Sequence, residues 1–160
     1  MKQQDKIPFV DLRAQYESIK PEIDAAIQEV IDSSQFVRGP RVEQFEAEFA
    51  AAMQRERCVS CANGTDALYI AMTALGLQPG DEVLAPAHSW ISTTQTITQA
   101  GGKVVFCDTD LDTYTISPSE IAAKITPRTV GIVTVHLFGQ PADMDPIMAL
   151  ARRHGLWVIE

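Results

Sequence analysis

The stretch Cys61-Ala62-Asn63-Gly64-Thr65-Asp66-Ala67-Leu68 holds the residue types that could do chemistry. It reads as the end of an apolar strand, Arg57-Cys58-Val59-Ser60-Cys61, then a tight polar turn, then a helix from Thr65 to Leu75 that Gly76 stops. Asn63 is a good N-cap, and Gly64 lets another group approach the backbone closely. Unpaired N–H groups and the positive dipole end would then face out of the carboxyl edge of a sheet, a phosphate site built largely from backbone. An ordinary capped helix has the same pattern, so the motif alone leaves both readings open. It is not a P-loop, because no Gly-Lys-Ser/Thr follows, and the Gly-x-Gly-x-x-Gly dinucleotide fingerprint is missing.

The elements that must position this turn follow from hydrophobic spacing. Residues 1 to 12 read as an extended arm with Ile7-Pro8-Phe9-Val10 apolar. A first helix follows, with Pro21 in its opening turn and Ile19, Ile23, Ala26, Ile27, Val30 and Ile31 on one face. Phe36-Val37-Arg38-Gly39-Pro40 is a loop, and Pro40 opens a second helix with a stripe of Val42, Phe45, Phe49, Ala52 and Met53. After Arg57 strands and helices alternate. Strands are predicted at 58–62, 82–86, 103–108, 129–137 and 156–160, and helices at 65–75, 89–100, 118–125 and 145–154. Continuous apolar strands such as Val130-Gly131-Ile132-Val133 suit an α/β fold with a mostly parallel sheet covered on both faces. Ligands of such sheets bind beyond the carboxyl ends of the strands, which gathers Asn63–Thr65, His88–Trp90, Asp108–Asp110 and His136–Gly139 around one crevice.

The totals set bounds. A length of 160 residues suits one domain with a real core. The first residues, Met1 to Lys6, lack the apolar centre of a signal peptide, and no apolar run reaches the length of a membrane span, so a cytoplasmic protein is expected. A net charge of -8 argues against nucleic acid or an anionic membrane as partner. Three cysteines do not suggest a disulfide framework. Cys58 and Cys61 have Cys-x-x-Cys spacing, but on a strand they would point to opposite faces, so buried inert thiols and no metal site are expected. The apolar strand Trp157-Val158-Ile159-Glu160 reads as mid-sheet, and the chain is therefore expected to be the N-terminal piece of a longer protein.

Gly39-Pro40 with Phe45-Glu46, Asn63-Gly64-Thr65-Asp66-Ala67-Leu68, Gly80-Asp81-Glu82-Val83, the run Val135 to Asp145 and Val158-Ile159-Glu160 resemble, in order and spacing, the DegT/StrS family of nucleotide-sugar aminotransferases. The resemblance runs from about Pro8 to the last residue. It implies the fold type I scaffold of pyridoxal phosphate (PLP) enzymes, with residues 1–56 as arm and amphipathic helices and 57–160 as the first part of the cofactor-binding large domain. It also implies transfer of an amino group from glutamate to a nucleotide-diphosphate keto-sugar, on a homodimer with shared sites. A sugar dehydratase of the same family and a non-catalytic PLP- or phosphate-binding regulator are the alternatives, and a nucleotide-binding domain without PLP is a third.

By this resemblance Asn63, Gly64 and Thr65 meet the PLP phosphate and Trp90 stacks on its ring. Arg38, on the Phe36–Gly39 loop, is a candidate for a substrate phosphate, and His88 for a substrate contact. His136 stands at a motif position near the site, where a hydrogen-bonded strand-end histidine is an equal reading. No catalytic residue is expected within this chain. The lysine that holds the cofactor and the aspartate that pairs with its ring nitrogen are expected beyond Glu160. Lys2, Lys6, Lys20, Lys103 and Lys124 are rejected on position, so the 160-residue piece is expected to be inactive by itself.

Overall fold

In the computed structural model, residues 9–160 are described, so Ile7 and Pro8 of the expected arm lie outside the described residues. The chain divides into two units, one ending at Ser60 and one from Cys61 to Glu160.

The first unit holds α1 (Leu12–Ser33) and α2 (Pro40–Ala52). Asp11 caps α1 by accepting the Ala14 N–H at 2.9 Å, and Ser34 ends it in the left-handed region. Pro21 is therefore inside the helix and not in its opening turn, because the capping side chain is Asp11, well upstream. The ring costs that turn one backbone hydrogen bond. The isoleucine stripe of α1 remains exposed, and α2 starts at Pro40 as expected and stacks Phe45 on Phe49.

The second unit is a three-layer sandwich. Its helices are α3 (Gly64–Ala74), α4 (Ser92–Gln99), α5 (Pro118–Lys124) and α6 (Met144–His154). Its strands are β1 (Glu82–Pro86), β2 (Lys103–Cys107), β3 (Thr129–Val133) and β4 (Trp157–Ile159), all parallel in the order β2-β1-β3-β4. Alternation sorts the side chains. Val83, Ala85, Val133, Trp157 and Ile159 pack with Met72 and Leu68 of α3 and Ile97 of α4. Leu84, Ile132, Cys107 and Val158 pack with Ile121 of α5 and Ile147 and Ala151 of α6. Both faces are buried, as the continuous apolar strands require.

The segment 58–62 is not a strand. An extended segment needs a neighbour for its N–H and C=O groups, and here the Ser60 N–H instead donates to Glu46 Oε1 at 2.7 Å. The expectation of buried thiols fails with it. Cys61 is exposed and Cys58 half-buried. Cys107 is the buried thiol, and burial pushes it up to about 11. The strand predicted at 129–137 stops at Val133, and Leu137–Gly139 forms a short 3-10 turn instead. The helix predicted from Ser89 begins at Ser92. Among the described residues, no helix is long and apolar enough to cross a membrane.

Candidate functional site

The carboxyl ends of β3 and β4, the loop after β1, the start of α4 and the amino end of α3 border a cavity of about 690 Å³, lined among others by Gly64, Thr65, Trp90, Ser92, His136 and Glu160. The amino end of α3 supplies its polar wall. Asn63 Oδ1 accepts the Asp66 N–H at 2.9 Å, and its Nδ2 donates to Asp66 Oδ2 at 3.0 Å. Both ends of the Asn63 side chain are thus engaged in shaping the turn, and Asn63 does not line the cavity. The N–H groups of Gly64 and Thr65 have no partner among the described residues, as the first turn of a helix leaves them. No heavy atom lies within 4 Å of where a Gly64 Cβ would stand, so that side of the turn is open.

Thr65 Oγ1 lies 2.8 Å from Ser92 Oγ, and Ser89 Oγ lies 2.8 Å from Thr93 Oγ1. Thr65 belongs to the first turn of α3, Ser89 to the loop after β1, and Ser92 and Thr93, both buried, to the start of α4. Ser92 was not singled out from the sequence. Its signal was there, in the hydroxyl spacing of Ser89, Ser92 and Thr93. Trp90 lines the cavity with its indole 75% exposed, which is a large apolar surface for one side chain to leave uncovered.

His136 is hydrogen-bonded at both ring nitrogens and lines the cavity. The Ala142 N–H donates to Nδ1 at 3.0 Å, which places the ring proton on Nε2, and Nε2–H donates to Glu160 Oε2 at 3.1 Å. The loop after β3 is thereby tied to the end of β4. His88 does not line the cavity; it stands beside Tyr114 and Phe138. The Asp108–Asp110 segment is not part of the lining either. Its Asp110 carboxylate accepts the N–H groups of Thr113 and Asp112, and those bonds hold it below the usual carboxylate range. Arg38 belongs to the first unit and takes a left-handed backbone.

Lys103 lies at the opposite end of the sheet, bound to Glu82 at 3.0 Å. Lys124 donates to the Phe106 carbonyl at 2.9 Å and pairs with Glu120. Among the described residues, no lysine lines the cavity.

The DegT/DnrJ/EryC1/StrS aminotransferase family matches residues 17–160. The chain belongs to that family. It is 46% identical over 154 residues to the UDP-2-acetamido-2-deoxy-3-oxo-D-glucuronate aminotransferase of Pseudomonas aeruginosa, covering 96% of this chain and 43% of that protein. Its structure is similar to that of Streptomyces venezuelae DesV in complex with a ketimine intermediate, with a TM-score of 0.94 at 42% identity, covering 97% of this chain and 42% of DesV. It is also similar to Bacillus subtilis NtdA with bound cofactor PMP, with a TM-score of 0.90 at 34% identity, covering 99% of this chain and 37% of NtdA. The chain therefore spans about two fifths of the length of these relatives. The fold type I scaffold expected from the sequence is the scaffold these family structures share with the second unit.

A phosphorylated pyridine fits the residues present. Free backbone donors at a helix N-terminus suit a phosphate dianion, and a pair of hydroxyls beside them can turn their protons toward it. An exposed indole on the same cavity suits a flat ring.

Proposed function

We propose that this chain forms the phosphate-binding and ring-stacking part of the active site of a PLP-dependent nucleotide-sugar aminotransferase, which moves an amino group from glutamate to a nucleotide-diphosphate keto-sugar. The observation that carries the reading is that Gly64 and Thr65, whose N–H groups have no partner among the described residues, line the same cavity as the exposed Trp90.

Bound PLP supplies an electron sink for the carbon that gains or loses the amino group. This chain's residues bind and orient. The Gly64 and Thr65 N–H groups and one hydroxyl of the Thr65–Ser92 pair would donate to the phosphate, reinforced by the dipole of α3. Asn63 holds that turn in shape. Trp90 presents a rigid flat face to the ring, so the reacting atoms keep one orientation. Val133 and Ile159 at the strand ends give the cavity an apolar floor that excludes water. His136 keeps the Glu160 carboxylate at the rim by donating from Nε2. Arg38 meets a substrate phosphate. The lysine and the aspartate that the chemistry needs come in this reading from the rest of the protein, which works as a cytoplasmic homodimer with residues 57–160 opening its large domain.

The test is the visible absorption spectrum of the natural full-length gene product with PLP, before and after glutamate. The reading expects a yellow protein-bound form that glutamate converts to the pyridoxamine form. No such bound form, or one that glutamate leaves unchanged, would overturn the aminotransferase reading and favour the dehydratase or the regulator. Tighter binding of a nucleotide than of PLP would favour the nucleotide-binding domain.

A further inference from the structure

One aromatic cluster has no part in the mechanism above. His88 stands just beyond the carboxyl end of β1. Tyr114 and Phe138 stand steeply inclined to it on two different loops, each ring centroid 6.4 Å from that of His88, at interplanar angles of 75° and 68°. Neither ring is buried, since Tyr114 is 53% exposed and Phe138 is 88% exposed.

Both residues also sit in the left-handed region, at φ 58° and 55°, where bulky side chains are strained. Local hydrogen bonds impose that conformation. The Tyr114 N–H donates to the Asp110 carbonyl at 2.9 Å, while Asp110 Oδ1 accepts the N–H groups of Asp112 and Thr113 at 3.0 Å each. Around Phe138, the Gly139 N–H donates to the His136 carbonyl at 3.1 Å and the Gln140 N–H to the Leu137 carbonyl at 3.0 Å. A large ring usually recovers such a cost by being buried. Here two separately built loops hold their rings in the open, around a third.

The cluster adjoins the cavity along the chain. Ser89 and Trp90 follow His88, His136 and Leu137 precede Phe138, and all four line the cavity. A substrate whose sugar enters the cavity leaves its nucleotide outside, at the mouth. Stacking on an aromatic ring there would add affinity for the base beside any charged contact to the diphosphate.

We propose that Phe138, held beside His88 and Tyr114, is the stacking platform for the base of the nucleotide-sugar substrate. The proposal rests on the aminotransferase reading for the identity of its ligand. Aromatic rings stack on any nucleobase, because every base has a π-face, and Phe138 is almost wholly exposed to one.

The test is calorimetric titration of the full-length protein with UDP, and with pyrophosphate as a ligand that lacks the base. UDP should bind at least about tenfold more tightly than pyrophosphate. Phe138→Gly should weaken UDP binding about tenfold and raise the urea midpoint, because glycine adopts the left-handed conformation without strain. Phe138→Tyr should keep the affinity. The platform is refuted if UDP binds no better than pyrophosphate, if Phe138→Gly leaves UDP affinity unchanged, or if Phe138→Tyr loses as much as Phe138→Gly. The titration needs neither PLP nor glutamate. A protein that binds UDP as described but does not respond to glutamate would therefore sink the aminotransferase reading and leave the platform standing.

Discussion

Replacing Gly131 by alanine should force β3 and β4 apart at the floor of the site. The two strands pair Gly131 with Trp157, and the indole lies across the glycine. A Cβ at position 131 would stand 2.2 Å from Cδ2 and Cε3 of Trp157 and 2.3 Å from Cε2. Carbon atoms rest about 3.5–4.0 Å apart, so the ring or the strand must move by more than about 1 Å. The obstacle is a rigid bicycle packed in the core layer with Val133 and Ile159, and not the free end of a flexible chain. Overpacking of this kind costs about 1–3 kcal/mol and occasionally more; the depth of the overlap puts Gly131→Ala near the top, about 3 kcal/mol. Trp157→Ala alone should also destabilise, by about 2–3 kcal/mol for a partly buried ring. In the Trp157→Ala background the sign should invert. The alanine at 131 then meets no ring and gains about 0.5–1 kcal/mol over glycine in a strand. Urea unfolding of the four proteins gives the coupling directly. Because Val133 and Ile159 line the cavity, PLP affinity should fall with Gly131→Ala and part of it should return in the double mutant. A loss below about 1 kcal/mol for Gly131→Ala, or strictly additive effects, would refute the argument that the indole occupies the space of the missing side chain.

Three other perturbations test separate links. The Glu82 carboxylate is held down at about 2, first by the Thr126 hydroxyl, then by Arg128 and Lys103. A depressed carboxylate contributes stability above its unfolded value near 4.5, and that contribution is lost as pH falls toward 2. The urea midpoint should therefore drop across that window, and Glu82→Gln should flatten the drop; an equally steep acid limb in Glu82→Gln would reject the assignment. Asn63→Ala removes the cap of α3 and should cost about 1 kcal/mol of stability, together with a weaker hold on PLP; a loss of PLP affinity at unchanged stability would mean that Asn63 touches the cofactor itself. Trp90→Ala should do the reverse: its exposure keeps the stability change within about 0.5 kcal/mol, while PLP affinity falls several-fold. Unchanged PLP affinity in Trp90→Ala would remove the indole from the site.

Local pattern was enough to read β1, α2 and α3. The strand 82–86 has its five residues where they were expected, Pro40 opens α2, and Asn63 caps α3. Each depends on residues within one or two turns of one another, through alternation, a fixed proline φ and a short side chain that reaches its own backbone. The cysteine segment 58–62 was misread for the complementary reason. Its apolar residues resemble a strand, but a strand exists only when another strand takes its hydrogen bonds, and no local pattern reports that. Trp90, Gly64 and Thr65 were recognised through their motifs, and the fold brings them to one cavity. Ser92 beside Thr65, His136 on Glu160, and Tyr114 and Phe138 around His88 are pairings between residues far apart in the chain. The sequence determined the order of strands and helices, and that a capped helix would stand at the carboxyl edge of a parallel sheet. Only the tertiary structure decided which side chains meet there, because those contacts depend on how the layers pack and not on spacing along the chain.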